Sequence, residues 1–424
     1  MSRILKSHFS KLIPLSGIVL LVLLLQSCSQ QEVFELKKPP QSPWQDLQEF
    51  ELAVQYPYHA TFQNSTWWTI FTSDRQASVY MSDISLERPG ATYQSSYARE
   101  TVNAHGHRFV MHEEIWNSAY QSIGNVNVAL DWVEENNENP FPEISQEDKV
   151  YNFDRIIGEL RFIRAYNYFL LARLWLSVPG SQKFNTEKRL PLQTSFPSSM
   201  QQAISLPLAT GSEVFDFITE ELKTAKELLP EHYIEGAMHP SYKVGRANKF
   251  TAAALLSRVY FYLGGEQNHQ LALQELNFVI DENQGEYDLS EDPIEAFNKS
   301  NAKRGKEVIW QALYYDETSG FTPARLAHMS KADYNAKNGG RNPWRRSTRT
   351  HIMIAYSAAK KMGWMDENLD ETEEAKKDKR YQQLYYRFEA LPEGWDNPES
   401  EQYLENPDET YYETRYSDWD KPTL

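Results

Sequence analysis

The chain has 424 residues, 41% hydrophobic and 24% charged, a globular balance that excludes a disordered polymer. Asp and Glu outnumber Lys and Arg by 59 to 43, and the net charge of -16 repels phosphate backbones, which argues against nucleic-acid binding. The 11 Trp and 25 Tyr suit partly exposed sites where a flat apolar face and a polar tip are both used.

At the N-terminus, Arg3, Lys6 and Lys11 precede an apolar run from Leu15 to Leu25. That run is too short and too early for a spanning helix and fits a signal-peptide core. It ends in Leu25-Gln26-Ser27-Cys28, a bacterial lipoprotein cleavage pattern, and Cys28 is the chain's single cysteine. The sequence therefore predicts a signal peptide over 1–27, a lipid anchor on Cys28, a polar tether over 28–43 containing Pro39-Pro40, and a body over 44–424. Cleavage removes three cations and no anions, giving a mature charge of -19. With no cysteine left for a disulfide, the fold must rest on its core.

In chain order, the first strong helical pattern spans 113–133. Its apolar positions Ile115, Trp116, Ala119, Tyr120, Ile123, Val126, Leu130 and Val133 fall at steps of three and four. A second helix is expected over 154–176, with Phe162, Ala165, Tyr166, Phe169 and Ala172 in its stripe, Arg161, Arg164 and Arg173 beside it, and Pro179 beyond its end. Thr210 and Glu213 match a capping box opening a third helix that closes before Pro230. The fourth runs over 246–263 to a Gly264-Gly265 cap, and a fifth over 271–280. The fold class is mostly α, with tetratricopeptide-like helix pairs, long irregular loops and few short strands. Exact repeats are not visible, so the repeats are degenerate and sit within one domain. The long loops are 83–108 and 314–352, stretches of a length that often carries function. A weak strand is expected over 307–315, and the charge run 366–380 reads as a solvated helix or loop.

No G-x-S-x-G, Walker A or dinucleotide glycine pattern is present. His105, His107 and His112, with Glu113, are spaced so that they could meet at a zinc or copper ion, but the helix-spaced H-E-x-x-H is absent. No metal or other cofactor is expected. Trp67-Trp68 lies near a helical segment, where core packing is expected.

The motifs in order resemble the SusD/RagB family of outer-membrane nutrient-binding lipoproteins. Trp116, Tyr120, Ile123 and Asn127 resemble its early W-x3-Y-x2-I-x3-N helix, and the run from Gly158 to Tyr166 (Gly-Glu-Leu-Arg-Phe-Ile-Arg-Ala-Tyr) its most recognisable stretch. Val178-Pro179, the helix from Val214 to Pro230, Gly245-Arg246-Ala247 to Gly264, Glu307-Val308-Ile309, and Asp378 with Arg380 continue the series over roughly 45–385. The chain has Leu176 where members usually carry Gly, and Gly180 where they carry Leu. It also ends at Leu424 without the family's usual further helical segment and closing motif, so it reads as a short or truncated member.

The resemblance implies a non-enzymatic surface protein. It would bind oligosaccharides, or less often peptides, and deliver them to a SusC-like TonB-dependent outer-membrane transporter, held on the membrane through Cys28 and facing the cell exterior. Sugar rings pack C–H faces on aromatic planes, and their hydroxyls bond to Asn, Arg and Asp. Because the family's ligand platform arises from comparable loops, the candidate ligand residues are Tyr93 and Tyr97 on the first stretch. On the second they are Tyr334, Asn338, Arg341, Asn342 and Trp344. Two alternatives stay open: a lipid-anchored helical-repeat scaffold for other proteins, and a surface glycosidase, which needs only two spaced carboxylates.

Overall fold

A computed structural model of the protein describes residues 44–63, 85–87, 110–293, 305–311, 352–354, 356–368 and 370–384. Residues 1–43, where the sequence predicts a leader and tether, and those beyond 384 lie outside them.

Six helices form the body: α1 (Leu52–Gln63), α2 (Val110–Glu135), α3 (Arg155–Trp175), α4 (Gly211–Leu228), α5 (Lys249–Leu263) and α6 (Glu266–Asp281). Each packs on the next in chain order, as tetratricopeptide-like helix pairs do, so every interior helix serves two neighbours. That demand explains α3. It is buried along nearly its whole length, from Arg155 to Ala172, because α1, α2, α4 and α5 all lean on it. Gly158 makes room for this: a methyl group there would come within 3.0–3.2 Å of Leu229 and Leu228 side-chain carbons at the end of α4.

The expected helices form with shifted ends. The capping box is present: the Thr210 side chain accepts from the Glu213 amide, and the Thr210 amide donates to Glu213 Oε2 at 2.7 Å. The helix expected from Arg246 begins at Lys249, because Asn248 caps it by accepting from the Thr251 amide. The helix expected from Leu271 begins at Glu266, directly after Gly264 and Gly265, whose φ values of +71° and +83° let two helices turn back on each other in two residues. Gly180, at φ +82°, occupies a left-handed turn after Pro179 that the family's usual Leu would strain.

Strands are few and short. β1 (Ser85–Glu87) pairs antiparallel with β4 (Ile352–Ile354), and β2 (Leu190–Pro191) with β3 (Leu208–Ala209). The strand expected over 307–315 is not formed in its described part. Residues 307–311 make a turn and unpaired extended chain, because Trp310 is drawn into the helical core instead of a ladder. The charge run breaks into the short helices Glu373–Lys377 and Lys379–Leu384, largely solvated, with Ala375 buried.

Candidate functional site

Two described segments, one ending at Gln63 and one at Gln311, touch. Phe62 and Trp310 meet edge-on with ring centroids 5.1 Å apart, and Trp310 also packs edge-on against Phe162 at 5.0 Å, Tyr166 at 5.3 Å and Tyr58 at 6.4 Å. Its indole N–H donates to the Gly245 carbonyl at 3.3 Å. Further along, the same two stretches are joined through β1 and β4, with Leu86 opposite Met353.

Tyr93, Tyr97, Tyr334, Asn338, Arg341, Asn342 and Trp344 lie outside the described residues, as do Cys28, Trp67, Trp68, His105 and His107. His112 and Glu113 fall in the first turn of α2.

The run from Gly158 to Tyr166 ties these segments to α3, and nearly every polar residue in it has a partner from another element. Glu159 bonds Arg155 within α3 and Arg246 from the segment before α5. Arg155 also reaches Glu51, and Arg246 bonds Glu51 at 3.1 Å, closing a buried ring of two carboxylates and two guanidiniums. Burial by itself would raise the Glu51 carboxyl, but Arg155 and Arg246 hold it below the ordinary carboxylate range. Both guanidiniums are in turn held more firmly protonated than usual against burial, chiefly by Glu159. Arg161 and Arg164 share Glu221 of α4. Tyr166 completes the aromatic knot around Trp310.

The early motif on α2 has matching work. Tyr120 O–H donates to the Pro191 carbonyl at 2.7 Å, and Asn127 accepts from Arg164 at 2.7 Å while donating to the Gln193 carbonyl at 3.0 Å. Trp116 packs on Tyr120 and Trp175. These residues fasten the 190–194 segment to the body. The polar groups among them are satisfied by other elements of the body, as scaffold residues are.

Sequence reasoning missed Trp310, Phe62, Glu51 and Arg246 as parts of one frame. Only the Arg155–Glu159 spacing of four was visible, because Glu51 and Arg246 stand 195 positions apart. An open recess of about 400 Å³ between α4, α5 and α6 is lined by Lys223, Lys226, Lys249, Glu231 and Glu275, among others. Its cations are already paired with carboxylates, and its ring, Phe278, is stacked on Phe250 and covered by Lys226. It offers no bare aromatic face to a sugar. Among the described residues no group of three or more His, Cys, Asp or Glu is placed to hold a metal ion, and no helix is long and apolar enough to cross a membrane.

Comparison with known proteins gives a consistent answer. Residues 50–261 match a SusD-like family model described as starch-binding associating with outer membrane. A SusD-like protein of Formosa agariphila is 25% identical over 207 residues, which is 49% of this chain and 33% of that protein. A SusD superfamily structure from Bacteroides thetaiotaomicron superposes with a TM-score of 0.58 at 16% identity, covering 76% of this chain and 62% of the other. A SusD-like carbohydrate binding protein from Bacteroides fragilis superposes with a TM-score of 0.52 at 19% identity, covering 74% and 53%. The chain thus shares their fold, and spans about a third of the length of the curated relative it matches.

Proposed function

The chain belongs to the SusD-like family, and on that premise we propose that it is a lipid-anchored protein of the outer membrane, facing the cell exterior, that captures oligosaccharides without cleaving them. It passes them to a TonB-dependent outer-membrane transporter. The observation that carries this reading is that the same two chain stretches meet twice, at Phe62–Trp310 within the helical body and at the β1–β4 pair. Binding surfaces are commonly built on connections that a rigid scaffold positions. The family description and the carbohydrate-binding name of the Bacteroides fragilis structure support a glycan as the ligand.

In this reading Tyr93, Tyr97, Tyr334 and Trp344 supply ring faces for sugar C–H surfaces, while Asn338, Arg341 and Asn342 bond hydroxyls. Transport energy comes from the partner, so no catalytic group is required. The test is calorimetric titration of the mature protein with a panel of starch-type and other oligosaccharides, with the Tyr97→Ala and Trp344→Ala variants alongside. Each loss of a stacking ring is expected to weaken binding about tenfold while the thermal transition stays in place. Unchanged affinity in both variants would move the ligand elsewhere.

A further inference from the structure

Three consecutive residues, Gly245-Arg246-Ala247, hold partners from three different parts of the body. The Gly245 carbonyl accepts from the Trp310 indole at 3.3 Å. The Arg246 guanidinium donates to Glu51 Oε1, just before α1, at 3.1 Å and to Glu159 Oε1 of α3 at 3.0 Å. The amide of the buried Ala247 donates to the Tyr58 hydroxyl, in the middle of α1, at 2.9 Å, and its carbonyl accepts from Tyr242 at 2.8 Å. Gly245 has a φ of +81°, a left-handed turn that a residue with a Cβ enters only under strain.

α1 is thus gripped at its start and its middle by the tripeptide that also holds Trp310. Trp310 closes the circuit on Phe62 at the end of α1. The segment 305–311 joins no ladder, and its backbone bonds to the body are long. The Lys306 carbonyl accepts from the Asp288 amide at 3.2 Å, and the Ile309 carbonyl from the Thr251 hydroxyl at 3.5 Å. Trp310, seated among Phe62, Phe162, Tyr166 and Tyr58, is its main fastening.

We propose that Gly245-Arg246-Ala247 and Trp310 are positioning residues for glycan capture. They fix the segment ending at Gln311 against the end of α1, and ligand affinity depends on them although they bond no ligand. The inference rests on the capture reading above, in which the ligand residues follow these two segments in the chain. A sugar that bonds both sets binds only molecules in which the sets are correctly placed, so the apparent affinity scales with that fraction.

The test compares the mature protein with Trp310→Phe, which keeps a ring but removes the donor to Gly245, and with Gly245→Ala, which strains the turn. Asn127→Leu, on α2 and outside the clasp, is the control. Affinity is measured by calorimetry for the tightest-binding oligosaccharide of the panel, starting with maltoheptaose. Each clasp variant is expected to weaken binding about threefold or more, as a competent fraction of about a third would give. Asn127→Leu lowers the melting temperature and leaves affinity unchanged. In the ligand-free protein, Trp310→Phe speeds hydrogen–deuterium exchange together in the last turn of α1, at 245–247 and at 305–311. Coupling between sites is reciprocal, so saturating oligosaccharide slows exchange of the Ala247 amide in the wild type, which a merely structural residue does not show. Faster exchange confined to 305–311, or unchanged affinity in both clasp variants, overturns the proposal. A wild type that binds no member of the panel overturns the capture reading and the link to affinity with it. Exchange in the ligand-free protein then decides separately whether the tripeptide couples the two segments.

Discussion

Replacing Arg155 by Met isolates the buried ring of charges. The Arg155 side chain is fully buried and bonds both Glu51 and Glu159, whose side chains are 3% and 0% exposed. Methionine keeps much of the volume but leaves two carboxylates facing the single cation of Arg246. One negative charge is then uncompensated in a dry site, an arrangement that costs about 3–5 kcal/mol. Urea denaturation of the mature protein, followed by far-ultraviolet circular dichroism, reads this as a lower midpoint at unchanged slope. Adding Glu159→Gln to Arg155→Met restores neutrality, so the double variant is expected to lose clearly less than the sum of the two single ones. A loss below about 1 kcal/mol for Arg155→Met, or strict additivity in the double variant, would show that the ring is solvated and refute the reasoning.

Three further outcomes follow from the same geometry. Because Glu51 is held below its ordinary range in the folded protein, its contribution is complete above the unfolded carboxylate value near 4.3 and is lost as pH falls through the lower folded value. Stability measured from pH 7 to 3 should drop less steeply below pH 4 in Glu51→Gln than in the wild type, and parallel profiles would assign the acid slope to other groups. Gly158→Leu forces side-chain atoms into Leu228 and Leu229, and a loss of about 1–3 kcal/mol by urea titration is expected. A neutral result would mean that α4 shifts freely on α3. Asn127→Leu removes one of the two bonds to the Gln193 carbonyl, which keeps the Tyr168 hydroxyl, and strands one Arg164 donor; about 1–3 kcal/mol is expected, and a stabilised variant would contradict the assignment.

Five of the six helices were readable because their apolar residues recur at steps of three and four, whereas α1, with Pro57 inside it, was not anticipated. Their starts were less readable. Asn248 caps α5 through the Thr251 amide, and the extra first turn of α6, from Glu266 to Gln270, is polar and carries no periodic signal. The 307–311 segment looked like a strand because Val308, Ile309 and Trp310 are apolar and favour extended chain. Trp310 gains more from four ring contacts in the knot than a short ladder supplies. The β1–β4 pairing was invisible, since two three-residue strands whose central partners, Leu86 and Met353, stand 267 positions apart leave no local pattern. The buried ions were equally hidden, as charges read from sequence are by default solvated. The recognisable Gly158–Tyr166 motif was visible as a motif, yet its purpose, fastening four elements to α3, emerged only from the contacts.

The central claim is capture for a transporter, and co-purification tests it most directly. The full chain carrying a C-terminal tag is expressed in a related bacterium, outer membranes are solubilised gently, and the bound proteins are identified by mass spectrometry. The account predicts a stoichiometric TonB-dependent barrel that elutes with the tagged protein. A folded, membrane-associated protein recovered with no barrel would contradict it.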